Sequence, residues 1–182
     1  LTGINSEYGE NSPVASTTKM NIGMLYYRQG LVDRANAILL DTAKGLEDYL
    51  NKNQSEDNKP FETILGVLYS NLSDIKRQLK EYEASEQYAL KGIEILKRIH
   101  GSNHLYLLTA RNNLAGAYMA QEKWSQAGQL LHELIAYLPK IGIEASLAKQ
   151  NLAIYYTKHK TDFSKARTLL AEAYEGLDSV NP

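Results

Sequence analysis

Asn113-Leu114-Ala115-Gly116-Ala117-Tyr118-Met119-Ala120-Gln121-Glu122-Lys123-Trp124-Ser125-Gln126-Ala127 carries a pattern that recurs along the chain. It opens with asparagine, a branched aliphatic and a small residue, reaches an aromatic, crosses a polar pair and ends on a second small residue. Asn21-Ile22-Gly23 is followed by Tyr26, Gly30 and Ala35, and Asn71-Leu72-Ser73 by Tyr82 and Ser85. Asn151-Leu152-Ala153 leads to Tyr156, Phe163 and Ala166. The aliphatics at 22, 72, 114 and 152 lie 50, 42 and 38 residues apart. The long first interval holds the polar run 51–59, which reads as an inserted loop ending at Pro60. Self-similarity at periods of this size marks a repeat architecture.

Within each repeat the apolar residues fall at helical spacing. Ile22, Leu25 and Tyr26, like Leu114, Ala117 and Tyr118, follow the i, i+3, i+4 rule of an amphipathic helix. The small residues Ala35, Ser85, Ala127 and Ala166 suit places where two helices approach closely. Turn signals at Gln29-Gly30, Lys80-Glu81, Gln121-Glu122 and Lys160-Thr161-Asp162 divide each repeat in two. Gly101-Ser102-Asn103 and Pro139-Lys140-Ile141-Gly142 stop helices between repeats. The pattern predicts an all-α chain of four antiparallel pairs: 14–29 with 32–50, 60–79 with 82–99, 104–121 with 124–138, and 143–159 with 163–177. Trp124, Tyr82 and Phe163 start second helices at matching places and read as core anchors.

Composition narrows the function. The 182 residues carry 20 Lys+Arg against 21 Asp+Glu, a net charge of −1, which argues against a general binder of nucleic acid. With 43% hydrophobic residues the chain is globular. There is no cysteine, so thiolate metal sites and cysteine nucleophiles are excluded. No apolar run approaches the ~18 residues that would insert into a membrane. Glycines stand singly, without a phosphate loop, and no serine sits in a glycine elbow. His100 and His104 have metal-ligand spacing, but Gly101 breaks the helix between them and no acidic third ligand is near, so they read as linker residues. His132 and His159 stand alone. Glu81-Tyr82-Glu83 with Glu86 reads as helix-start charge suited to the dipole. No catalytic set, metal site or cofactor is expected.

The chain resembles tetratricopeptide repeats, whose units run about 34 residues. The longer spacing is similar to the kinesin-light-chain type. Ile99-His100-Gly101-Ser102-Asn103-His104 followed by Ala110-Arg111-Asn112-Asn113-Leu114-Ala115 carries that likeness, as does Tyr8-Gly9-Glu10-Asn11-Ser12-Pro13-Val14-Ala15 ahead of the first pair. The departures are Lys76, which stands where the second repeat would have its aromatic, and one extra residue before Phe163. The resemblance implies a right-handed α–α superhelix, a solenoid of about four helix pairs over 14–182. Residues 1–13 would then be the end of a preceding helix and its linker.

In such a solenoid the first helix of each pair lines the concave side, and the residue before each aliphatic sits at the edge of its core face. That residue is Asn21, Asn71, Asn113 and Asn151 in turn. A carboxamide offers donor and acceptor together and so matches a peptide group. The resemblance implies that these asparagines grip the backbone of a bound peptide; caps or links between helices are the alternative use. The same helical phase carries Met20, Met24, Tyr27 and Arg28, then Asp74 and Arg77, then Asn112 and Met119, then Gln150 and Lys158. Methionines adapt to varied apolar side chains, and the cations suit carboxylate or phosphate. The expected partner is protein or peptide, with no nucleic acid and no membrane insertion. Leu169, Leu170, Ala173 and Leu177 do not make the last helix a polar cap, so self-association through the array ends is a further expectation. Two other roles remain open on the residues alone. One is a ligand-sensing regulatory domain of a larger signalling or transcription-regulating protein. The other is a scaffold whose groove is filled by its own chain.

Overall fold

The structure, a computed structural model, describes residues 12–53, 56–137 and 142–178. The helix end expected at Leu1 to Tyr8 lies outside them. Among the described residues there are eight α-helices and no strand. They are α1 (Pro13–Arg28), α2 (Val32–Lys52), α3 (Lys59–Gln78), α4 (Tyr82–His100), α5 (Leu105–Ala120), α6 (Trp124–Tyr137), α7 (Ile143–Tyr155) and α8 (Phe163–Asp178). The all-α helical-repeat class expected from the sequence is the class observed. The chain forms two compact units, Leu1–Ala110 and Arg111–Pro182.

Local chemistry explains the helix limits. Ser12 stands at the N-cap of α1, its Oγ accepting from the Ala15 amide at 3.2 Å, and Pro13 takes the first helical position, where no amide is needed. Within each repeat the first helix ends in one kind of turn. The Tyr26 carbonyl accepts from the Leu31 amide at 2.9 Å, Lys76 from Glu81 at 2.9 Å, and Tyr118 from Lys123 at 2.9 Å. Such a closure needs a residue in the left-handed region, and these are Gly30 (φ 76°), Lys80 (φ 62°) and Glu122 (φ 59°). The fourth turn closes from Asp162 to Tyr156 at 3.0 Å, one residue wider, with Thr161 at φ 52°. The extra residue ahead of Phe163 is absorbed by a π-helical turn, Tyr156–Lys160, which is how one inserted residue is accommodated in a helix. Lys76 occupies the register position of the tyrosines. It is buried, with its ammonium 2.8 Å from Glu81 of the same turn, so a salt bridge replaces the aromatic. Glu81 therefore holds this lysine, a role beyond helix-start charge.

In the first unit α3 packs on α1, α2 and α4. Its core joins Ala35, Leu39, Ala43 and Leu46 of α2 to Leu65, Leu68, Leu72 and Ile75 of α3. A smaller cluster joins Leu96 of α4 to Leu107 and Ala110 of α5. The helices approach to bare backbone where α3 meets α4: a Cβ on Gly92 would lie 2.8 Å from the Gly66 carbonyl oxygen. Ser85, at the small-residue position of α4, donates to the Ser73 carbonyl at 2.7 Å. In the second unit α7 packs on α6 and α8. Ala127, Leu131 and Leu134 of α6, Ala148 and Leu152 of α7, and Ala166 and Ala173 of α8 are buried there, and Ser146 donates to the Ala173 carbonyl at 2.9 Å. The anchor reading holds unevenly: Tyr82 and Trp124 are half-buried, whereas Phe163 is largely exposed.

Lys80 adopts a conformation that costs an L-residue roughly 1–2 kcal/mol and glycine nothing. Lys80→Gly should therefore raise stability by about 0.5–1 kcal/mol after the unfolded-state entropy of glycine is subtracted, as read from urea unfolding followed by circular dichroism.

Candidate peptide-binding site

In the first unit the first helices of the two pairs, α1 and α3, bring part of the expected set together. The Tyr27 hydroxyl donates to Asp74 Oδ2 at 2.6 Å across the two helices, and Arg77 makes an ion pair with the other carboxylate oxygen. The Gln78 side chain also hydrogen-bonds Tyr27. Burial first, then the bond to Asp74, pushes the Tyr27 phenol up from 10.0 to about 12. Asp74 and Arg77 thus satisfy each other and Tyr27. Arg28 is exposed in the last turn of α1. Met20 and Met24 are half-buried and pack against the core of this unit, so they serve as filler on at least one side. Asn21 is exposed and Asn71 half-buried, and neither carboxamide is hydrogen-bonded to another described residue.

The second unit treats its asparagines differently. Asn151 Nδ2 of α7 donates to Asn112 Oδ1 of α5 at 2.9 Å, so this amide links the first helices of two successive pairs. Asn113 is half-buried and engaged in an interaction of its own. Met119 and Gln150 are half-buried, and Lys158 is exposed on the π-helical turn. A cleft of about 210 Å³ opens between α5 and α6, lined by Leu114, Tyr118 and Leu130 with Gln126, Gln129 and Glu133. It is smaller than the ~300–1,000 Å³ of typical small-molecule pockets.

Two features escaped sequence reasoning. His132 and His159 do not stand alone: His132 Nε2 lies 3.1 Å from the Tyr156 hydroxyl, and the His159 ring stacks on Trp124 at 5.7 Å. The π-helical turn brings this aromatic group together, and its one signal in the sequence is the extra residue before Phe163. In the linker, His100 and His104 stack at 4.2 Å on either side of Gly101 (φ 76°). Thr63 holds His100 Nε2 at 2.9 Å, and burial, then the charge of His104, lowers the His100 pKa. Among the described residues no three metal-ligating side chains converge, and no helix is long and apolar enough to cross a membrane.

Unfolding measurements check these assignments. Asn151→Ala removes an interhelix bond and should cost about 1 kcal/mol of unfolding free energy. Asn21→Ala, at an exposed helix position, should gain a few tenths of a kcal/mol, about the propensity difference. The raised phenol of Tyr27 sets a pH dependence. The folded state favours its neutral form, so its contribution is intact below pH 10 and is lost as the pH rises towards about 12. Tyr69, raised by burial and by its bond to Glu47, acts in the same direction. Tyr27→Phe should make the alkaline fall in unfolding free energy shallower, as seen in urea titrations on either side of pH 10.

Comparison with known proteins accords with the helical-repeat fold. The tetratricopeptide-repeat family model matches residues 65–140. No curated protein matches the sequence significantly. Among solved structures the chain is similar to BtubC (BKLC) from P. vanneervenii, with a TM-score of 0.69 at 21% identity. That match covers 93% of this chain and 66% of BtubC, so the chain spans just under two thirds of that relative. It is also similar to a kinesin-light-chain-type protein of nearly identical TPR-like repeats from Podosopora anserina, at TM-score 0.65 and 16% identity, covering 99% of this chain and 83% of that one. A point variant of the latter gives TM-score 0.68 at 16% identity over 98% and 82%. At such identities the likeness is one of fold. The tetratricopeptide-repeat model thus matches the middle of the chain, and the fold is that of the kinesin-light-chain-like repeat structures it resembles.

Proposed function

We propose that the chain is a non-catalytic interaction module that takes an extended segment of a partner protein along its inner helices, gripping the segment's backbone with asparagine side chains. Tetratricopeptide-repeat proteins generally bind protein partners and are generally non-catalytic. One observation carries the finer reading. Asn21 and Asn71 stand at the same register position of α1 and α3, which pack together, and neither carboxamide is engaged by a described residue, while Asp74 and Arg77 beside them are paired. Asparagine is a poor interior helix residue, because its side chain competes for backbone partners. Its presence in both α1 and α3, where no described residue bonds it, fits an external partner. A peptide leaving water needs such partners, since each unsatisfied group costs about 1–3 kcal/mol. In the second unit the bond from Asn151 to Asn112 leaves Oδ1 of the first as an acceptor and Nδ2 of the second as a donor, the two kinds of group a peptide bond pairs with.

The test begins with a displayed library of random peptides selected on the wild-type chain. A selected peptide is then titrated by calorimetry into wild type and the Asn21→Ala/Asn71→Ala protein. Binding should weaken roughly tenfold or more, with helicity unchanged. Equal affinity for both proteins would remove the asparagines from the site.

A further inference from the structure

The closing turns align the repeats residue by residue, and that alignment exposes a mismatch in burial. With Val32 matched to Phe163 at the start of the second helices, Leu39 corresponds to Leu170 and Ala43 to Tyr174. Leu39 is 0% and Ala43 3% exposed, in the core that α2 forms with α3; Leu170 is 49% and Tyr174 67% exposed. On the first helices Met24, packed against that core, corresponds to Ile154, and Val67, packed against the Leu96–Leu107–Ala110 cluster, corresponds to Leu147. Ile154 and Leu147 are both exposed. The α7–α8 pair therefore displays the apolar seat that α1 and α2 offer to α3, and no described helix fills it.

The complementary half lies on α1. Ile75 of α3 is 0% exposed where it docks on the preceding pair, while its equivalent Leu25 is 56% exposed. Val14, the equivalent of the core-packed Ile64, is exposed as well. One chain thus carries both halves of the repeat–repeat interface that its own first unit shows assembled. Single exposed aliphatics are ordinary, but a contiguous apolar stripe rimmed by polar groups marks an interaction surface.

We propose that copies of this chain associate head to tail, α1 of one copy seating on α7 and α8 of the next as α3 seats on α1 and α2. The inference is independent of the peptide site. The contact joins two different surfaces, so it is heterologous, and any assembly that has not closed into a ring keeps a free seat and a free helix and can grow beyond a dimer.

Sedimentation velocity of the 182-residue chain over a dilution series tests it, together with two blocked variants. Leu25→Glu blocks the head; Leu170→Glu with Tyr174→Glu blocks the tail, and Leu170→Ser with Tyr174→Ser provides a milder version. These positions are exposed, so circular dichroism should be unchanged. Wild-type mass should rise with concentration without a plateau at the dimer, and each variant alone should associate at least tenfold more weakly. An equimolar mixture of head-blocked and tail-blocked protein should stop at a one-to-one dimer, because only one productive contact remains. A monomer at every concentration would overturn the proposal. So would association that persists in both variants, or a dimer that either variant forms by itself.

Discussion

One backbone hydrogen bond organises each repeat. The carbonyl at Tyr26, Lys76 or Tyr118 closes on the amide just before the second helix begins, which reverses the chain within three residues and sets the two helices antiparallel. The closure demands a left-handed residue, and only the first repeat supplies glycine. The other turns hold Lys80, Glu122 and Thr161 in a conformation that costs each of them energy, so packing beyond the turn must enforce it. That packing is visible in the small residues: Ala35, Ser85, Ala127 and Ala166 are all buried, and Gly92 meets the backbone of α3 with no room for a side chain.

The same closure explains how two departures from the pattern are tolerated. Lys76 keeps its carbonyl in the turn while its ammonium turns onto Glu81, so a tyrosine's bulk is exchanged for an ion pair without loss of register. In the fourth repeat the inserted residue is taken up before the turn. Tyr156 still accepts the closing bond, but the last helical turn widens to the π form and lifts Tyr155, Tyr156 and His159 towards Trp124 and His132. An insertion that would otherwise shift every later side chain is confined to five residues.

The asparagines show why a repeated position need not have a repeated role. The four sit at one register position, yet Asn151 reaches Asn112 on the preceding first helix, while Asn21 and Asn71 make no such bond to any described residue. At the equivalent of Asn112, facing Asn71, the first unit has Met20, whose thioether offers a carboxamide no amide acceptor. Whether such a carboxamide is engaged within the chain is decided by its neighbour on the adjacent first helix.

Much of the architecture was legible in the sequence, because helical class depends on information local to each segment. The spacing of Ile22, Leu25 and Tyr26, the small residues opposite one another and the polar pairs between them already specify helices, their buried faces and the places where the chain turns. The tertiary structure alone decided which of those faces is covered. Leu39 and Leu170 occupy the same place in the same pattern, as do Ile75 and Leu25, and nothing in the periodicity separates the buried member from the exposed one. The hydrophobic pattern states that a surface favours leaving water; which surface meets it there depends on residues far away in the chain.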